Sequence, residues 1–104
     1  MGYELMVTER AEELLDSLIY YILFELENQP AALRLLDGIQ KIYCRLELNP
    51  LQFPVSCDGY LSGKGYHEAI VPGMNYMVVF DIDGQTVIIL GIFHRLENFR
   101  IRLL

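Results

Sequence analysis

The chain has 104 residues, of which 53% are hydrophobic and 12% aromatic. This is enough apolar material for one core, so we expect a single domain over residues 1–104 and exclude intrinsic disorder. The formal net charge is −6, from 8 basic and 14 acidic side chains. Such a balance is unfavourable for a protein that binds phosphate backbones. Because most of the acidic excess lies in residues 1–50, any nucleic-acid chemistry is expected in the second half.

The sequence also favours the cytosol as the compartment. The longest apolar stretches, residues 76–80 and 87–93, are far shorter than the roughly 20 residues of a membrane-spanning helix. The N-terminus shows neither a basic start nor an apolar signal core. Cys44 and Cys57 have no metal-binding or redox spacing. In a reducing cytosol we expect both to be thiols buried in the core.

The first half predicts a strand followed by a helical hairpin. Apolar residues alternate over residues 3–7, as in a short strand with one inward face. Thr8 is a good N-cap for a helix whose apolar face repeats until about Glu27. Pro30 is expected at the first position of a second amphipathic helix, which ends at Asn49-Pro50.

The second half predicts short strands separated by glycine and proline. We expect residues 66–71, 76–82 and 86–93 to form an antiparallel meander. The Asp83-Gly84 pair is expected to make the second of its turns. A fourth strand is expected near residues 58–61, and the tail from 95 to 104 is expected to be a short helix or extended. The fold is therefore α+β, an antiparallel sheet with the hairpin on one face and the opposite face used for function.

Three segments of the second half resemble motifs of a known protein family. Residues 64–72 read KGYHEAIVP, residues 75–80 read NYMVVF and residues 91–99 read GIFHRLENF. Together with the order of elements, these segments resemble the RelE/ParE toxins of bacterial type II toxin–antitoxin systems, in a branch where KGYREA and IFHxLENY recur. The resemblance implies a cytoplasmic toxin without metal or organic cofactor, silenced by a cognate antitoxin that wraps around it. Many relatives cleave messenger RNA on the ribosome, whereas ParE-like relatives poison DNA gyrase.

Metal-free RNA cleavage needs a base for the 2′-hydroxyl, a cation for the phosphate and an acid for the leaving oxygen. The candidates are Lys64, His67, His94 and Arg95, with Glu68 and Glu97 as further acid or base groups. In the family the ends of these strands converge on the active face. The alternative interpretation is that Lys64 and Arg95 are solvated loop charges and that His94 makes only a local hydrogen bond.

The sequence departs from the family pattern at several candidate positions. His67 stands where Arg is usual, and Phe99 replaces a tyrosine and its hydroxyl. Ala69 and Met77 occupy positions that are arginines in the more basic ribosome-dependent relatives. A zinc site that adds Cys57 to the two histidines would need three ligands from separate segments, which is a weak signal.

Two functional hypotheses follow from the sequence. The first is a ribosome-dependent endoribonuclease, favoured because that branch of the family is larger and shares the C-terminal histidine motif. The second is a binding protein: a gyrase poison, or a degenerate toxin that retains antitoxin binding and co-repression. The acidic charge and the missing arginines favour the second.

Overall fold

The computed structural model describes residues 2–95. Within this part of the chain, none of the helices combines the length and the apolarity that a bilayer crossing requires. The elements, in chain order, are β1 (Glu4–Val7), α1 (Glu9–Tyr20), a π-helical turn (Tyr21–Glu25), α2 (Gln29–Leu48), a 3-10 turn (Pro50–Gln52), α3 (Gly59–Gly63), β2 (His67–Ile70), β3 (Tyr76–Asp83) and β4 (Thr86–His94).

Thr8 is the N-cap of α1, as the sequence predicts. Its Oγ1 accepts a hydrogen bond from the Ala11 backbone N–H at 3.1 Å. The same hydroxyl donates to the carbonyl oxygen of Ile89 at 2.9 Å. One side chain therefore starts the helix and ties it to β4, and this fixes where the hairpin sits on the sheet.

The connection between the two long helices differs from the expected single helix to Glu27. The α-helix ends at Tyr20 and a π-helical turn follows, in which the Leu26 N–H donates to the Tyr21 carbonyl at 3.0 Å. Glu27 then adopts a positive φ of 49°. Asn28 caps α2 by accepting from the Ala31 N–H, so helix α2 starts one residue earlier than expected.

The sheet has the order β1-β4-β3-β2. Strands β2, β3 and β4 form the predicted antiparallel meander. The expectation of a wholly antiparallel sheet is wrong, because β1 pairs with β4 in parallel, with Glu4 opposite Thr86. No tight turn joins these two strands, so nothing forces them to run in opposite directions.

The predicted turn between β3 and β4 is confirmed. Asp83 pairs with Thr86, which leaves Gly84 and Gln85 as a two-residue loop. Gly84 has a φ of +61° and Gln85 has no positive φ. A positive φ at the first loop position alone is the pattern of a type II′ turn, which suits the twist of a hairpin.

Two other expectations are corrected. Residues 58–61 do not form a strand: Asp58 accepts hydrogen bonds from the Tyr60 and Leu61 N–H groups and caps the short helix α3. Both cysteines are exposed rather than buried; Cys44 lies on the solvent side of α2 and Cys57 in the loop before α3. The element expected over residues 95–104 lies outside the described residues, apart from Arg95.

The helical hairpin covers one face of the sheet, here called the hairpin face. At its centre is Phe80, whose ring meets Phe53 edge to face at 6.1 Å between centroids. The opposite face is partly covered too, because Leu61 of α3 packs there against Met77, Val79 and other buried residues. Among the described residues, the half of that face near the β3–β4 turn is open, with Met6 and Asp83 exposed, and Ile70 of β2 is exposed near the other end.

Tyr43 of α2 has a hydroxyl that is shielded from solvent and finds no hydrogen-bond partner among residues 2–95. Burial, reinforced by the carboxylate of Glu12, raises its pKa from 10.0 to about 12. The folded state therefore favours the neutral phenol. This contribution to stability is complete below pH 10 and is lost as the pH rises through 12.

We expect Tyr43→Phe to leave the free energy of unfolding unchanged at pH 7 or to raise it by up to about 1 kcal/mol, because it removes an unsatisfied buried hydroxyl. Between pH 10 and 12 the variant should lose less stability than the parent. Urea unfolding at pH 7 and at a pH between 10 and 12 measures these differences. Tyr20→Phe, at an exposed tyrosine, is the matched control. A variant less stable at pH 7 by more than 1 kcal/mol would contradict the prediction.

Candidate functional site

His67 is the first residue of β2 and faces the core. Its Nδ1 lies 3.1 Å from the carbonyl oxygen of Phe53. Its ring stacks on Phe80 at 5.3 Å between centroids and 19° between planes. A half-buried imidazole held on two sides closes the edge of the core.

His94 and Arg95 stand together where β4 ends. His94 lies opposite Tyr76, and the two rings meet at 5.5 Å and 89°. The Arg95 backbone N–H donates to the Asn75 carbonyl at 2.9 Å, and the Arg95 side chain is exposed. The end of β4 is thereby fixed to the connection between β2 and β3.

The two histidines are far apart on the hairpin face. Strands β2 and β4 both run antiparallel to β3, so the start of one and the end of the other lie at different heights. His67 is level with Phe80 and His94 with Tyr76. Four residues along the sheet, about 13 Å, and two strand spacings, about 10 Å, separate their Cα atoms by about 16 Å. The histidines cannot act on one phosphate in this arrangement.

Lys64 belongs to a loop over the other face. It follows α3, and its Nζ lies 5.8 Å from the centroid of the Tyr60 ring. Glu68, a further candidate, anchors this loop by accepting from the Cys57 N–H at 3.3 Å and approaching the Ser56 hydroxyl at 3.5 Å. The structure therefore brings His94 and Arg95 together at the end of β4 and separates them from His67 at the start of β2. Glu97 lies outside the described residues.

The open half of the sheet is acidic. Glu4, Thr86 and Asp83 form one cross-strand row, and Met6, Ile88 and Asp81 form the next. We call these six residues the acidic face. Three of these six side chains are carboxylates and none is basic, so together they repel a phosphate backbone.

No three His, Cys, Asp or Glu side chains among residues 2–95 lie close enough to share a metal ion. The zinc ligands considered from the sequence include His67 and His94, whose Cα atoms lie about 16 Å apart by strand geometry.

An apolar groove runs along α1 and its π-helical turn. It encloses about 350 Å³ and is bounded on the far side by one residue of α2. Tyr20 and Phe24 contribute large exposed rings, 61% and 62% accessible, which contact each other at 4.7 Å between centroids. We call this the hairpin groove; it is lined by Leu15, Asp16, Ile19, Tyr20, Leu23, Phe24 and Leu36.

A second groove of about 340 Å³ lies on the other side of α2, against the connection between β2 and β3. We call it the basic groove; it is lined by Arg34, Asp37, Gly38, Lys41, Ile42, Arg45 and Pro72. The sequence located neither groove, although the exposed side of the helical hairpin and the sheet edge were expected to bind an antitoxin segment with an amphipathic helix. A signal for the second was present, because basic residues at positions i, i+7 and i+11 share one face of a helix.

Comparison with known proteins supplies the family. A family model described as the ParE toxin of the type II toxin-antitoxin system parDE matches residues 5–99. A search of curated proteins gives no significant match. A solved structure described as the chromosomal ParDE TA system from P. aeruginosa superposes with a TM-score of 0.67 at 19% identity, covering 88% of this chain and 95% of that one. At this identity the structural likeness shows the fold.

The α+β fold, with its strand, helical hairpin and meander, is the fold of that solved structure, and the family model makes the chain a small toxin of a type II toxin–antitoxin system. The chain belongs to the ParE toxin family. Membership confirms the family resemblance in the sequence at the level of ParE and implies a cognate antitoxin as partner.

Proposed function

We propose that this ParE-family toxin acts by binding and poisoning DNA gyrase, and that it does not cut RNA. The observation that carries the proposal is the separation of the candidate catalytic groups: His67 is engaged with Phe53 and Phe80, His94 lies about 16 Å away by strand geometry, and Lys64 follows a helix on the opposite face. General acid–base cleavage requires these groups around one phosphate. The endoribonuclease favoured by the sequence therefore has the weaker support.

The distribution of charge supports the same proposal. A ribosome-dependent nuclease must approach a dense array of phosphates, whereas this chain carries a net charge of −6 and exposes the acidic face. A poison needs only a surface complementary to its target protein. The acidic face, with Met6 and Ile88 among its carboxylates, fits a basic, partly apolar protein surface.

The direct test is a DNA supercoiling assay with purified gyrase and this chain. We expect inhibition of supercoiling and accumulation of cleaved, gyrase-linked DNA. We also expect Asp81→Lys to weaken both effects, since it reverses one charge of the acidic face. Asp37→Lys, on the far side of the molecule in α2, is the matched control.

In cells, we expect His94→Ala to leave growth arrest unchanged, because no proton transfer is required of it. Primer extension on messenger RNA should show no new 5′ ends with either protein. The nuclease hypothesis makes the opposite forecast, a loss of cleavage by roughly 10² to 10⁴ in the variant. New 5′ ends that disappear with His94→Ala would overturn the gyrase proposal.

The antitoxin is proposed to dock in the hairpin groove through an amphipathic helix. The groove offers an apolar trough of suitable size, and Asp16 on its rim favours a basic residue on the incoming helix. The sheet edge at β2 is less accessible, because the Glu68 N–H donates to the Pro54 carbonyl and Val55 bridges to His67.

A further inference from the structure

We propose that the basic groove binds an acidic segment of the cognate antitoxin, separate from the helix in the hairpin groove. The inference rests on the proposed pairing with an antitoxin and adds the chemistry of a second contact. Three observations support it: the basic residues of the groove, the shape of its apolar floor, and the position of the two grooves on opposite sides of α2.

The groove concentrates positive charge although the chain as a whole is acidic. Residues 1–50 contain Arg10 and three other basic residues, and those three all line this groove. Arg34 makes no hydrogen bond or ion pair with any residue in the 2–95 range. Lys41 pairs with the exposed Asp37, at 3.0 Å. Arg45 is held in place, with its guanidinium bonded to Gln52 Oε1 at 2.7 and 3.0 Å.

The floor of the groove is apolar and closely fitted. Ile42 and Gly38 are buried, and Pro72 closes the side that faces the sheet. A Cβ atom on Gly38 would lie 2.6 Å from Val71 Cγ1, so the helix and the β2–β3 connection touch here. An apolar floor beneath a basic rim fits a peptide that carries both apolar and acidic side chains.

A nucleic acid fits the groove less well than a peptide. The carboxylate of Asp37 stands among the basic residues, and the whole chain is negatively charged. The negative charge of the whole chain repels a phosphate backbone. A short acidic segment has to contact only the basic side chains at the rim of the groove.

The two grooves flank the same helix. Leu36 lines the hairpin groove and Gly38 the basic groove. Successive residues of an α-helix turn by about 100°, so these positions point about 160° apart. An antitoxin that contacts both grooves would meet Asp16 on one side of α2 and Arg34 on the other. Its two contacting segments should therefore carry opposite charges.

The test measures binding of the protein encoded beside this gene to the purified chain, by calorimetry at 50 and 500 mM NaCl. At low salt we expect Arg34→Gln to weaken binding about 3- to 10-fold and the double variant Arg34→Gln/Lys41→Gln about 10- to 50-fold. At high salt the differences should shrink, because screening weakens exposed ion pairs. Arg10→Gln removes the same charge from α1 and is the matched control. Arg45 is left intact, because it also packs over Phe53.

Circular dichroism and thermal melts establish that the variants are folded. If the adjacent protein does not bind the parent chain at all, the proposed pairing fails and the inference falls with it. If it binds and Arg34→Gln/Lys41→Gln behaves like Arg10→Gln, the pairing stands and the basic groove is not a contact. Salt-sensitive binding of a fluorescent 20-nucleotide RNA or DNA that the double variant abolishes would assign the groove to nucleic acid instead. If the parent chain forms a dimer by itself and Arg34→Gln abolishes that dimer, the basic groove is assigned to a second copy of the chain.

Discussion

Replacing Gly38 by alanine is expected to lower the free energy of unfolding by up to about 2 kcal/mol. The added Cβ would lie 2.6 Å from Val71 Cγ1. Val71 is buried and β-branched, so it cannot move aside cheaply. Overpacking of this kind costs about 1–3 kcal/mol. Against it stands a gain of about 1 kcal/mol from the better helix propensity of alanine. Urea unfolding monitored by circular dichroism measures the difference.

A double-mutant cycle with Val71→Ala separates the clash from other effects. Gly38→Ala should stabilise the Val71→Ala background, because the space for the new Cβ is then available. Gly63→Ala is a control at a helical glycine where nothing lies within 4 Å of the added atom. A Gly38→Ala protein more stable than the parent would show that α2 does not approach Val71 this closely.

The second large effect is expected from Phe24→Asp in the hairpin groove. The ring is 62% accessible and contacts Tyr20, so the free chain should remain folded. In the complex, the proposed antitoxin helix would bury this ring, and an exposed aromatic anchor of this kind contributes about 2 kcal/mol or more. The substitution should therefore weaken antitoxin binding by about 30- to 100-fold, and in cells it should release the toxin from inhibition.

Leu48→Asp makes a matched control, since it places the same carboxylate at an exposed leucine near the end of α2, outside both grooves. Binding should be measured by calorimetry with the protein encoded beside the gene. Equal affinity for the Phe24→Asp and Leu48→Asp variants would remove the hairpin groove from the interface. A strong loss with Phe24→Asp and little change with Arg34→Gln/Lys41→Gln would leave the hairpin groove as the contact and dismiss the basic groove.

The candidate site was identified only in part by sequence reasoning. Residue types and the motif around His94 led to the family, which the family comparison supports. Convergence of Lys64, His67 and His94 was an expectation taken from the family. The register of the sheet separates His67 from His94: two strands antiparallel to the same neighbour run parallel, so the start of β2 and the end of β4 do not meet.

Local chemistry was enough to place most of the fold. Thr8 and Gly84 act through their own backbone and side-chain preferences, so the first helix cap and the hairpin turn could be inferred from neighbouring residues alone. Alternation and helical periodicity gave the hairpin and the three strands of the meander. These signals extend over a few residues and are nearly independent of the rest of the chain.

Only the tertiary structure decided the features that depend on distant contacts. The parallel pairing of β1 with β4 joins segments about 80 residues apart in sequence, and no local pattern encodes it. Helix α3 at residues 59–63 and the exposed cysteines depend on how the loop folds over the sheet. Gly38 looks like a weak point of a helix until Val71 is placed against it. The two grooves likewise exist only because α2 packs between α1 and the β2–β3 connection, which determines which of its exposed side chains face a common cavity.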